Sequence, residues 1–136
     1  MISRMSHTII YVPDQVEAYD FYVNKLGLEV REDSEMGEGM RWLTVGAKDQ
    51  PDMEITLMPA QAGMSLDQEQ AKSLQKLIKS GAFGFGIFEC DNIYTTYKEL
   101  KKKGVTFRKA PKEEFYGIEA IFEDPFGNWF SLGQKE

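Results

Sequence analysis

Residues 91–104, DNIYTTYKELKKKG, repeat the layout of residues 14–27, DQVEAYDFYVNKLG, and the spacing of these two stretches decides the fold. Each begins with a polar residue suited to capping a helix, carries apolar residues near helical spacing, and ends at a glycine that can stop one. In the first, Asp14 caps with Glu17 three residues on, and Ala18, Phe21, Tyr22 and Leu26 form the apolar face. In the second, Asp91-Asn92 is the cap, and Ile93, Tyr97 and Leu100 stand at i, i+4 and i+7. Asp91 follows Asp14 by 77 positions, Gly104 follows Gly27 by 77, and Ser131 follows Glu54 by 77. A constant offset well above the roughly 20–50 residues of solenoid repeats indicates two fused copies of one module.

Working outward, each helix is preceded by one strand and followed by three. Met5–Val12 is rich in β-branched and aromatic residues and ends at the turn signal Pro13-Asp14. Its alternation sets His7, Ile9 and Tyr11 on one face and Ser6, Thr8, Ile10 and Val12 on the other. Leu28–Glu32, Met40–Gly46 and Met53–Met58 read as strands separated by turns at Ser34–Gly39 and Lys48–Asp52. In the last of these, Glu54, Thr56 and Met58 share a face opposite Met53, Ile55 and Leu57. The second copy reads Phe83–Cys90, helix, Val105–Lys109, Gly117–Glu123 and Trp129–Leu132, with the breaker Asp124-Pro125-Phe126-Gly127-Asn128 before the final strand. Between the copies, Ser65 with Gln68 suggests a capping box for a linker helix over 65–80, with a stripe of Leu66, Leu74, Leu77 and Ile78. The expected architecture is α+β, a single domain over 1–136 with module one at 1–62, the linker helix at 65–80 and module two at 82–136.

Composition narrows the function. A chain of 136 residues with 42% hydrophobic and 28% charged residues is long enough for one buried core and lies outside the disordered range. No stretch reaches the roughly 18 apolar residues of a membrane span, and the N-terminal apolar run is short for a signal peptide, so the cytoplasm is the expected location. The 16 Lys and Arg against 22 Asp and Glu give a net charge of −6, which disfavours nucleic acid and anionic membranes as partners. One cysteine, Cys90, rules out an internal disulfide and Cys-rich zinc sites; its parity places it on the helix-packing face, buried and inert. The single histidine, His7, rules out HExxH zinc hydrolysis within one chain. Neither a GxSxG elbow, a Walker loop nor a helix-opening GxGxxG is present, and GAFGFG at Gly81 leads into a strand.

The duplicated βαβββ order, Phe21-Tyr22 and Leu26-Gly27-Leu28 in the first module, DNIYTTYKELKKKGV in the second, and the closing FEDPFGNWFSL together resemble the vicinal oxygen chelate superfamily, the group of glyoxalases, bleomycin-resistance proteins and extradiol dioxygenases. The resemblance implies half barrels around a central cavity that holds a divalent metal, with ligands on the first and last strand of each module, and a homodimer. Carried over residue by residue, it places His7 and Glu54 at ligand positions of the first module. In the second module it places Phe85 where histidine is usual and Ser131 where glutamate is usual.

Two protein ligands hold a divalent metal weakly, since catalytic zinc ordinarily keeps three. The expectation is therefore a protein that binds a small organic molecule in the inter-module cavity without a complete metal site and without another cofactor. His7 and Glu54 are the candidate proton-transfer pair and the partial metal site, a divalent metal being the alternative cofactor. Tyr11, Trp42, Phe85, Tyr116, Trp129 and Ser131 are the candidate ligand-binding residues. The alternatives are a metal-dependent glyoxalase-like lyase or isomerase using His7 and Glu54, and an antibiotic-sequestering resistance protein. An acidic chain suits cationic ligands better than anionic ones.

Overall fold

The computed structural model describes residues 1–135. Its elements run β1 (His7–Val12), α1 (Gln15–Tyr19) continued by a π-helical segment (Asp20–Lys25), β2 (Glu29–Gly37), β3 (Met40–Gly46), β4 (Glu54–Pro59), α2 (Gln68–Ser80), β5 (Gly84–Cys90), α3 (Ile93–Lys102), β6 (Thr106–Glu114), β7 (Gly117–Glu123) and β8 (Trp129–Gln134). The chain forms two compact units that divide inside α2, the first Met1–Gln75 and the second starting at Lys76. Each unit holds one four-stranded sheet, ordered β1-β4-β3-β2 in the first and β5-β8-β7-β6 in the second. In both, the first strand pairs parallel with the last and the other pairs are antiparallel. The two βαβββ modules of α+β class are thus present, each built on an open four-stranded sheet with edge strands at both sides.

Local chemistry builds each unit in the same way. Asp14 accepts from the backbone N–H of Val16 and Glu17, and Asn92 does the same for Tyr94 and Thr95. Gly27 and Gly104 end these helical runs at φ +79 and +91. The helix-facing side of the first sheet buries Ile10, Val12, Leu43 and Leu57 around Phe21 and Tyr22; that of the second buries Ala120, Phe122, Phe130 and Leu132 around Ile93 and Leu100. In the breaker before β8, the Asp124 carboxylate accepts from the backbone N–H groups of Phe126, Gly127 and Asn128 and from the Asn128 amide.

Three elements differ from the sequence expectation. β2 continues through the expected turn to Gly37, and the reversal is at Glu38 and Gly39, at φ 55 and 77. It is an edge strand exposed along most of its length, so it carries charges in place of alternating apolar residues, and Asp33 forms a two-point ion pair with Arg41 of β3. β6 likewise runs on past Lys109 to Glu114, tolerating Pro111 at an edge where the pairing with β7 is irregular. The capping box of α2 is Asp67 with Gln70, each side chain accepting from the other's backbone N–H, so the helix starts at Gln68 and Leu66 lies outside it. Ala71 and Ile78 are the buried residues of α2, while Leu77 is 48% exposed and takes no part in the expected stripe. Among the described residues no helix is long and apolar enough to cross a membrane.

Candidate functional site

In the first unit the parallel register sets His7 directly opposite Glu54, so both side chains leave the same face of the sheet. His7 Nε2 stands 3.5 Å from Glu54 Oε2, and Nδ1 lies 2.8 Å from the Ser6 hydroxyl. The Thr44 hydroxyl on β3 donates to Glu54 Oε1 at 2.7 Å. Trp42 shares Thr44's face, its ring 6.4 Å from that of His7 and tilted by 43°. Tyr11 is half-buried on the His7 face of β1, opposite Met58. The structure therefore brings His7, Glu54 and Trp42 together, and it adds Thr44, which sequence reasoning had not selected.

The second unit carries a different arrangement. Ser131 donates a 2.8 Å hydrogen bond to Glu119 Oε2. Glu119 Oε1 accepts from Lys109 Nζ at 2.8 Å and from the Tyr116 hydroxyl at 2.6 Å. Those three donors, Lys109 foremost, then Tyr116 and Ser131, hold the Glu119 carboxyl down at about 2, and the neighbouring carboxylate in turn pushes the Tyr116 phenol up. Tyr116, Glu119, Ser131 and the exposed Ile87 line an open cleft of about 550 Å³ on this sheet. Glu119 was missed from sequence: Glu54 was selected because the family resemblance puts a glutamate at its position, and no such correspondence points to Glu119 in GIEAIFE. Its partners Lys109 and Ser131 come from the two neighbouring strands, β6 and β8, and Tyr116 from the turn before its own, so only the sheet register assembles the group.

The remaining candidates are engaged in packing. Phe85 is 37% exposed and stacks on Phe83 with ring centroids 5.5 Å apart. Trp129 lies over Gly84, where any Cβ would collide with its indole, and the Arg108 guanidinium sits 5.6 Å from its centroid. Cys90 is half-buried, and burial pushes its thiol up.

The offset of 77 needs one correction. The caps Asp14 and Asn92 are 78 apart while Gly27 and Gly104 are 77 apart, so the first helical run, the one with the π-helical segment, is a residue longer; in β5, separately, pairing with Trp129 and Phe130 passes from Gly84 to Gly86. That irregularity sets Ser131 opposite Ile87, not Phe85, so Phe85 and Ser131 are not the register counterparts of His7 and Glu54.

The donor set does not fit a resident metal. His7 and Glu54 supply two ligands, Ser131 offers a neutral hydroxyl already given to Glu119, and Phe85 offers an apolar ring. Among the described residues no group of three or more His, Cys, Asp or Glu side chains is placed to hold an ion.

This fold and these site positions place the chain by comparison with known proteins. It belongs to the Glyoxalase/Bleomycin resistance protein/Dioxygenase superfamily, whose sequence model matches residues 4–132. Members of this family are often metal-dependent. The uncharacterized protein YurT of Bacillus subtilis (strain 168) is 37% identical over 129 residues, covering 94% of this chain and 96% of its own. The crystal structure of UcmS2 superposes with a TM-score of 0.90 at 44% identity, covering 98% of both chains. TnmS3, an antibiotic binding protein from Streptomyces sp. CB03234, superposes at 0.75 with 27% identity, covering 99% of this chain and 98% of its own.

Proposed function

We propose that this protein binds a small organic molecule through its own side chains, without a completed metal site, and that its ligand is an antibiotic-like compound, as bound by the similar protein TnmS3. The observation that carries this reading is the open cleft of about 550 Å³ on the second sheet, where an aromatic ring and an aliphatic side chain surround a few fixed polar groups. The likeness to TnmS3 supports the class of ligand, and the likeness to UcmS2 extends over nearly the whole chain. The superfamily is commonly dimeric, and the same reading takes the protein as a cytoplasmic homodimer.

A second reading is favoured by the 3.5 Å approach of His7 to Glu54: a lyase or isomerase in which this pair moves a proton. Such a pair needs no metal to be oriented, since Thr44 and Ser6 already fix the outer atoms of both side chains. Thermal-shift measurements against a panel of antibiotics and metabolites test the binding reading. A ligand present far above its dissociation constant raises the melting temperature by mass action, and a panel without any stabilising compound would count against it. Conversion of a stabilising compound, abolished by Glu54→Gln, would favour the second reading.

A further inference from the structure

The cleft on the second sheet has a definite hydrogen-bonding polarity. An ionised carboxylate has no proton to give, so the hydrogen bonds from Tyr116 and Ser131 to Glu119 fix both hydroxyl protons on the carboxylate side. Each hydroxyl then offers only lone pairs to anything else in the cleft. Glu119 itself is acceptor-only, and so is Glu89 on β5. These two carboxylates sit on either side of Gly133, which pairs with Glu89 in one direction and Glu119 in the other. Cross-strand partners share a face, so Gly133 leaves a side-chain-free floor between two acids about 10 Å apart along the hydrogen-bonding direction. The apolar walls are Ile87, 74% exposed, and the Tyr116 ring, 55% exposed. Of the donors nearby, Lys109 is spent on Glu119 and Glu114, the Lys135 backbone N–H is spent on Cys90, Gln134 accepts from the Ile93 N–H through its amide oxygen, and the Lys135 ammonium is the one cation lining the cleft among the described residues.

We infer that this cleft receives the hydrogen-bond-donating, positively charged end of its ligand, an amine or guanidine carried on an apolar ring or chain, and rejects carboxylates and phosphates. Glu119 is the positioning residue: it turns two hydroxyls into acceptors and holds the Tyr116 ring as a wall. This rests on the small-molecule reading above and specifies the ligand class for one site within it.

The test is a pair of ring-matched probes of opposite charge, 1-naphthylmethylammonium and 1-naphthylacetate, titrated into the full 15N-labelled chain at pH 7. The amides of Gly117 and Gly133 report on the cleft, and those of Thr44 and Glu54 on the first sheet. The expected result is that the ammonium probe shifts Gly117 and Gly133 with a dissociation constant about tenfold or more below that of the acetate probe. Glu119→Gln and, independently, Glu89→Gln each reduce that preference at least about threefold, the second variant leaving the Glu119 hydrogen bonds in place. Binding of naphthylacetate at the same amides with equal or greater affinity would overturn the inferred polarity and leave the small-molecule reading standing. So would ammonium-probe shifts confined to Thr44 and Glu54. No shift from either probe at any of the four amides would count against both.

Discussion

Ser131 gives its hydroxyl proton to Glu119 at 2.8 Å, at the position where the family resemblance expects a metal-ligating glutamate. The carboxylate that the second module lacks on β8 is thus present one strand away, on β7, and it is tied to an ammonium and two hydroxyls. A carboxylate so committed organises a wall of the cleft. Its folded-state value near 2 lies below the ordinary 4.5, so its contribution to stability is complete above about pH 4.5 and is lost as pH falls through about 2. Glu119→Gln should therefore lower stability by about 1 kcal/mol at pH 7, the low figure reflecting its partly exposed partners. The gap between the variant and the parent should close near pH 2, as read by denaturant unfolding at a series of pH values.

Two adjacent leucine-type positions on α2 separate helix packing from mere apolarity. Ile78 is fully buried, so Ile78→Ala should cost about 2 to 5 kcal/mol. Leu77 is 48% exposed, and Leu77→Ala should cost less than about 1 kcal/mol. Calorimetric melting of the two variants distinguishes them at about 3 °C per kcal/mol.

Gly127, at φ +120 in the turn before β8, has no room for a side chain, because a Cβ there would strike the carbonyl oxygen of Ile78. Backbone strain and the clash act together, and Gly127→Ala should destabilise by at least about 2 kcal/mol. Gly86, which has open space around its Cβ position, is the control, and Gly86→Ala should melt within a few degrees of the parent.

Metal content follows from the donor count. Protein dialysed without chelator and assayed for zinc, nickel, manganese and iron should carry well under one ion per chain, since His7 and Glu54 are two ligands where stable sites use three or more. Micromolar additions of these ions should leave the melting temperature unchanged, whereas tight binding would raise it. A stoichiometric ion lost in His7→Ala would contradict this.

Much of this was legible in the sequence where local chemistry decides. Asp14 caps as expected, Gly27 and Gly104 end their helical runs, and the parity of MSHTIIYV and MEITLM correctly set His7 and Glu54 on one face. The extent of β2 and β6 was not legible, because β2 is exposed along nearly its whole length and the second half of β6, APKEE, carries a proline and charges in place of apolar residues. The cap of α2 was misplaced by two residues, since Ser65 with Gln68 and Asp67 with Gln70 fit the same pattern and only the folded chain chooses between them. Glu119 escaped because its value as a site residue depends on Lys109 and Ser131 arriving from separate strands. The irregularity at Gly84 and Gly86 is likewise a feature of pairing, and it moved Ser131 out of register with Phe85.

Ligand titration followed by the fluorescence of the chain's two tryptophans, Trp42 and Trp129, repeated with and without EDTA, tests most directly the claim that the protein binds its ligand without metal. The account predicts that at least one amine-bearing aromatic compound in an antibiotic and metabolite panel quenches or shifts the emission saturably, with the same dissociation constant in both conditions. Binding that disappears in EDTA and returns on adding a divalent ion would contradict it, as would a panel in which no compound binds.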